Sequence, residues 1–284
     1  MKKLLALLLT LVLGCTALFA TGCSSKELTG FDIDLAKAVS EKLGVKVTFK
    51  EIDWDVKEEE LNQGKIDCVW NGFTYTEDRD NGYYDEDRKM QIGGLDFTGM
   101  YMKNKQVAVV KKDNAEAAKS ADWFKDKKGC AEATSAGESV ITDVFKAKAN
   151  QLSRQLDIFT GVEAGSFDYG VLDSVMANYY VAEGYKDKLA VVEIAGVEEE
   201  FYSIAFKEGS NLVGVFNYVL AGLYADGTAK KIAATYGLED VLYNGFGTQA
   251  TDYAYPTDGA YKALKDKGEL VIGYTIFAPI AYTK

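Results

Sequence analysis

Between residues 31 and 43 the apolar positions fall four apart, at Phe31, Leu35, Val39 and Leu43, with Gly44 behind them. That spacing places one apolar stripe on a helix and a stop after it, so a helix is predicted over 31–43. Residues 45–49 (VKVTF) alternate instead, which predicts a half-buried strand. The two periods then take turns along the chain. Helices are predicted over 56–63, 120–127, 136–148 and 174–183, with a long one inside 212–236. Strands are predicted over 66–70, 106–110, 169–173, 189–194 and 202–206, with a short one near 129–131. From 244 to 258 the pattern lapses. Gly245, Gly247, Thr248 and Thr251 stand in an aperiodic stretch that reads as a surface linker. A helix over 260–267 and a strand over 269–274 follow it. Alternating strands and helices predict an α/β fold, with helices layered on largely parallel sheets.

The first residues fit neither period. Lys2 and Lys3 precede an almost wholly apolar run over 4–19. The run has the length of a signal-peptide core and falls short of the about 20 residues a membrane span needs. It ends in Ala20-Thr21-Gly22-Cys23-Ser24-Ser25, which resembles a bacterial lipobox. Residues 1–23 are therefore expected to be a signal peptide, with Cys23 diacylated as the lipid attachment site. The alternative is an ordinary secretory signal with no lipid. Cys15 lies inside the apolar core and would leave with it.

Composition narrows the function. A chain of 284 residues has room for one large domain or two lobes. Its net charge of −11 argues against nucleic acid, since a phosphate backbone needs a basic surface. Cys68 and Cys130 each sit in a short apolar run, which predicts buried free thiols and no disulfide. Histidine is absent. That excludes Ser-His-Asp and Cys-His catalysis and every His-ligated zinc site. No cysteine pair has metal spacing and no phosphate-binding glycine motif occurs, so no metal or cofactor is expected. An enzyme built on carboxylates or lysines stays open.

Several segments, in order, resemble the polar amino-acid family of ABC-transporter solute-binding proteins. They are Gly30-Phe31-Asp32-Ile33-Asp34-Leu35-Ala36, Ile52-Asp53-Trp54-Asp55, Gly64-Lys65-Ile66-Asp67 and Asn71-Gly72-Phe73-Thr74-Tyr75-Thr76-Glu77-Asp78-Arg79. Further on come Glu132-Ala133-Thr134-Ser135-Ala136-Gly137-Glu138, Tyr169-Gly170-Val171-Leu172-Asp173, Tyr202-Ser203-Ile204-Ala205-Phe206-Lys207 and Ala225-Asp226-Gly227-Thr228. The resemblance implies a two-lobed, periplasmic-binding-protein-like type II fold: two mainly parallel sheets flanked by helices, with a ligand cleft between the lobes. It implies lobe 1 from 24–105 and 205–284, with 244–258 as linker, and lobe 2 from 106–204, with hinges near Gln106 and Glu200. One departure is large. Family members begin with the strand that here comes last, at 270–272, so the order looks circularly permuted. Joining Lys284 to Glu27 would restore it. The expected function is capture of a free amino acid by a monomeric, non-enzymatic protein. The protein would be lipid-anchored at the outer face of the cytoplasmic membrane and serve an ABC permease and ATPase. The alternatives are an enzyme on the same fold, similar to cyclohexadienyl dehydratase, and a ligand-sensing module.

The resemblance also assigns site residues. Arg79, five residues after Thr74, is the expected carboxylate clamp, because a guanidinium offers two parallel donors. A solvated pair with Asp78 or Asp80 is the alternative. Thr74 would donate beside it, and Asn71 and Gly72 would line the approach, where a glycine admits a ligand to the main chain. Asp173 closes an apolar strand and is the expected ammonium partner; it could instead cap the helix after it. Ser135 and Ala136 open a helix whose N–H groups suit an anion, with capping by Ser135 as the other reading. Trp54 and Phe277 match the family's aromatic walls and could equally be core; Trp70 and Tyr274 are further aromatic candidates. Relatives that bind basic or amide side chains often place an acid where Tyr274 or Thr275 stands here, which argues against a cationic ligand, while Glu132 could supply a carboxylate from the other lobe. Side-chain specificity is left open. Arg79 and Asp173 are expected to be exposed when the lobes are apart.

Overall fold

The computed structural model describes residues 27–85 and 88–284, so the leader and Cys23 lie outside the described residues. The chain opens with β1 (Leu28–Thr29), α1 (Phe31–Leu43), β2 (Lys46–Glu51), α2 (Lys57–Asn62) and β3 (Cys68–Thr74). A short α3 (Glu77–Asn81) leads to the paired β4 (Tyr83–Asp85) and β5 (Met90–Ile92), then β6 (Leu95–Phe97). The long β7 (Met102–Lys111) carries the chain into a second group. That group is β8 (Gly129–Glu132), α4 (Ala136–Ser139), β9 (Asn150–Leu152), α5 (Asp157–Ala164), β10 (Tyr169–Asp173), α6 (Ser174–Tyr180) and β11 (Leu189–Glu193). The long β12 (Glu199–Lys207) brings it back, and α7 (Leu212–Ala225), α8 (Thr228–Tyr236), α9 (Gly259–Lys267), β13 (Glu269–Tyr274) and β14 (Tyr282–Thr283) follow.

The strands lie in the order β2-β13-β3-β12-β7-β10-β8-β9, with β6 also on β12 and β11 on β7. Parallel pairs occupy the two ends of this path: β13 with β2 and β3, and β8 with β10 and β9. The middle is antiparallel. There β12 pairs with both β3 and β7, and β7 pairs with β10 and β11. The first residues of β7 belong to one half of the sheet and Gln106 onward to the other, so these two long strands join the halves. The α/β architecture is as predicted; the antiparallel middle is what an expectation of mainly parallel sheets lacks.

Local chemistry accounts for most elements. α1 buries Phe31, Leu35, Val39 and Leu43, the stripe that predicted it, and stops at Gly44 with φ +62°. The stretch 212–236 is two helices, because Gly227 stands between them at φ +80° and a helix cannot pass through left-handed backbone. The helix expected over 136–148 is regular only as far as Ser139 and continues as one wider turn over 140–144. Val140, Ile141 and Thr142 form a β-branched run there, poor in helix propensity, and Val140 and Ile141 are drawn into the core. The expected helix over 120–127 is a single turn at 121–124.

Strand β13 is central. Leu270 and Ile272 are fully buried, β2 and β3 flank them, and β14 pairs with β1 so that the Lys284 N–H donates to the Glu27 carbonyl at 3.2 Å. The 244–258 stretch runs along α7, with Tyr253 stacked on Tyr218 at 4.3 Å and Gly245 N–H bonded to the Met100 carbonyl at 2.8 Å. Cys68 and Cys130 are buried free thiols, as expected. Among the described residues no helix is long and apolar enough to cross a membrane, and no acid or cysteine group could hold a metal ion.

Candidate functional site

β3 delivers the first part of the site. Gly72, near its end, has φ +59°, and its N–H donates to Asp32 Oδ2 at 2.9 Å. A Cβ there would stand 2.7 Å from Phe277 Cε1, so only glycine lets the Phe277 ring lie against the strand. Burial pushes the Asp32 carboxyl up to about 7. Asn71 accepts from the Thr275 hydroxyl at 2.9 Å and from its N–H, while its own Nδ2 is buried with no partner among the described residues.

After β3 the Thr76 hydroxyl caps α3 by accepting the Arg79 N–H at 3.1 Å, which turns Arg79 back toward the end of the strand. The guanidinium donates to the Thr74 carbonyl at 2.7 Å and the Thr134 carbonyl at 3.2 Å, and stands 4.6 Å over the Phe73 ring. It makes no ion pair with Asp78 or Asp80, and among the described residues no carboxylate lies within pairing distance. Burial pushes its pKa down.

The other half supplies the acids. Asp173 ends β10, and it does not cap α6 with its side chain. Its Oδ1 instead accepts from Asn104, from Gln106 at 3.1 Å and from the Tyr202 hydroxyl at 2.8 Å, and its Oδ2 from Gln155 at 2.6 Å. Glu200 accepts from the same Asn104 and Gln106, at 2.6 and 2.7 Å, and from the Thr74 hydroxyl at 2.9 Å. Burial raises all three nearby carboxyls. Glu200 is pushed up to about 7 and Glu132 to about 8, in each case by desolvation first and the Asp173 charge second, and Asp173 is raised too.

Arg79, Asp173 and Glu132 meet in one cleft between the halves. All ten residues predicted from sequence line it: Trp54, Asn71, Gly72, Thr74 and Arg79, with Glu132, Ser135, Ala136, Asp173 and Phe277. Gln155 and Thr275 complete the wall. Trp54 meets Phe73 edge-on at 5.1 Å, and Phe277 meets Tyr202 edge-on at 6.3 Å. Ser135 spends its hydroxyl on capping α4, accepting the Glu138 N–H at 3.2 Å, so the capping reading of that side chain holds. Trp70 lies in the core between Tyr101 and Phe216, and Tyr274 packs on Phe49; neither lines the cleft.

Arg79 and Asp173 are 9% and 5% exposed here, because the halves meet over them; the exposure expected with the lobes apart concerns another arrangement of the halves. Sequence reasoning passed over Asn104, Gln106 and Gln155, the donors that hold the acids. The first two had a signal. They fall two apart on a strand, so they share a face with the apolar Met102, and a polar pair on a buried face requires partners.

Known proteins resemble this chain in sequence and in structure. The L-cystine-binding protein TcyA of Bacillus subtilis is 29% identical over 217 residues, covering 76% of this chain and 75% of the relative. The arginine-binding extracellular protein ArtP of the same organism is 25% identical over 212 residues, covering 72% and 76%. Among solved structures, an ABC uptake transporter substrate-binding protein from Streptococcus pneumoniae with bound histidine is 34% identical. It superposes with a TM-score of 0.65 over 75% of this chain and 85% of that one. The ancestral amino-acid-binding protein AncCDT-1, described as a precursor of cyclohexadienyl dehydratase, is 32% identical with a TM-score of 0.63, over 73% and 85%. The family model for bacterial extracellular solute-binding proteins, family 3, matches residues 19–239. With a type II binding-protein fold, and with a cleft lined by both Arg79 and Asp173, the chain belongs to family 3 of the bacterial extracellular solute-binding proteins.

Proposed function

We propose that this chain captures a free amino acid between its two sheet halves and delivers it to the permease and ATPase of an ABC importer. The observation that carries the reading is a buried guanidinium, Arg79, with no carboxylate partner among the described residues, facing across one small cleft a buried carboxylate, Asp173. A free amino acid brings the missing anion and an ammonium in a single molecule, replacing the water each charge would otherwise need. Its carboxylate takes Arg79 and the Ala136 N–H, the Ser135 N–H being donated to the Glu132 carbonyl at 3.3 Å. Its ammonium takes Asp173. Trp54 and Phe277 hold the side chain between them. The two halves act as lobes, 24–105 with 205–284 and 106–204, hinged where β7 and β12 cross.

Arg79→Met and Asp173→Asn should each cost on the order of 2–5 kcal/mol of binding, because each leaves a buried partner unpaired. Thermal shift against the twenty amino acids and L-cystine identifies the ligand, and calorimetry then measures the loss. Near-native affinity in either variant refutes the assignment.

The lipobox reading places the protein at the outer face of the membrane through Cys23. Cys23→Ala should move it from the membrane fraction into the medium, and unaltered protein already found there would refute the anchor. The chain order reads as a circular permutation. It is supported by β13 lying between β2 and β3, by the meeting of Glu27 and Lys284, and by a family match that stops at residue 239.

A second reading rests on Glu132. A carboxyl pushed up to about 8 is protonated at neutral pH, the state a general acid needs, and this favours a dehydratase acting on a cyclohexadienyl amino acid. Aromatisation of such a substrate, followed by ultraviolet absorbance, separates the two readings.

A further inference from the structure

Two cations of the first half reach across the cleft to one residue of the second. Lys57, the first residue of α2, is fully buried. Its Nζ donates to the Thr134 hydroxyl at 3.1 Å and to the Trp54 carbonyl at 3.2 Å, and lies 3.1 Å from the Glu58 carboxylate. It stands 5.0 Å from the centre of the Trp54 ring and 5.7 Å from that of Phe73. Arg79 donates to the Thr134 carbonyl at 3.2 Å. Thr134 has φ +59°, a conformation that a β-branched residue adopts only under constraint, and its N–H is held by Glu138 at 2.6 Å.

The amino-acid reading of the cleft uses neither Lys57 nor the Thr134 hydroxyl. A buried lysine is rare unless paired, and the first turn of a helix favours acids over cations. Glu58, buried beside it, already neutralises the charge, so charge balance alone does not call for a contact across the cleft. Glycine would take up the Thr134 backbone freely but would offer Lys57 no acceptor. Threonine at this position exchanges backbone ease for a hydroxyl aimed at the opposite half.

We propose that Lys57 and Thr134 form a cross-cleft catch, with Lys57 a positioning residue that holds the 133–136 turn, and with it Glu132 and Ser135, against the first half. The proposal rests on the cleft being the amino-acid site, but different contacts carry it. The ligand bridges the halves through Arg79 and Asp173, whereas the catch bridges them through Thr134. Separating the halves breaks the Lys57 bond and the Arg79 bond together, and the turn that presents the second half's donors loses its support.

The test is a pulsed-EPR distance between thioether-linked spin labels at Asp78→Cys and Asp143→Cys, exposed positions on opposite sides of the cleft, in the chain from residue 24 onward, which leaves out Cys15 and Cys23 and keeps only the buried Cys68 and Cys130. Spectra are taken without ligand and with an equimolar mixture of the twenty amino acids and L-cystine. Lys57→Met and Thr134→Ala should each reduce the short-distance population roughly threefold to tenfold, and the double variant should do no more than either alone. Thr134→Ser keeps the hydroxyl and should behave as the parent. If the parent shifts to short distance with the mixture and both variants shift equally, the catch is overturned and the cleft reading stands. If the mixture leaves the parent unchanged while Lys57→Met or Thr134→Ala lengthens the distance, the catch stands and the cleft reading falls. Identical distributions in all proteins under both conditions overturn the catch.

Discussion

Asp173 accepts four hydrogen bonds from side chains, and Glu200 shares two of the same donors. Placing acids this close and this deep has a cost that depends on pH. The folded-state values of Glu132, about 8, and of Glu200 and Asp32, about 7, lie above the ordinary carboxyl range. A carboxyl raised in this way contributes stability that is fully present below its unfolded value. The contribution is lost as pH rises through the folded value. The ligand-free protein should therefore melt at progressively lower temperature between about pH 5 and pH 8, by an amount worth a few kcal/mol. Glu132→Gln should flatten the upper part of that fall. Melting curves followed by circular dichroism check this, and a melting temperature that stays level or rises over the range contradicts it. A bound ammonium offsets the same repulsion, so the slope should shrink when the site is filled.

At the scale of elements, β13 has the most to lose. It is paired on both edges, it contributes the buried Leu270 and Ile272, and the segment after it carries Thr275 and Phe277 into the cleft. Burying each of those aliphatic side chains stabilises by about 1.5–3 kcal/mol, before counting the backbone bonds to both neighbours. Ending the chain after Gly268 should leave β2 and β3 without the strand between them, with no cooperative melt and no binding. A truncated protein that still unfolds in one sharp transition would show that β13 is dispensable. α4 teaches the opposite lesson about short elements. It has little helix of its own, and the Ser135 cap with the burial of Val140 and Ile141 holds it in place.

On the scale of the whole molecule, Lys284 and Glu27 lie within one hydrogen bond of each other, and the 244–258 stretch runs over the surface of α7. Closing a short loop between neighbouring ends costs little, and exposed loops tolerate cutting. A chain with Lys284 joined to Glu27 by a few glycines and serines, and opened within 247–251, should fold and bind as the parent does. The check is its melting temperature together with calorimetry against the ligand that thermal shift identifies. An unfolded or non-binding product would mean that the present chain order is required by the fold, contrary to the permutation reading.

The sequence by itself was enough to place α1, the strand at 169–173, the buried thiols and ten residues of the cleft wall. Each rests on something local: a period, a turn residue, or a motif whose spacing sets where a side chain emerges. Tertiary structure alone decided the rest. Only pairing across the chain could put β13 between β2 and β3, since an edge and a centre strand can share one apolar run. Only the meeting of the halves could bury Arg79 and Asp173, raise Glu132 and Glu200, and bring Lys57 within reach of Thr134. Desolvation and pairing depend on what surrounds a group in space, and no pattern along the chain encodes those neighbours.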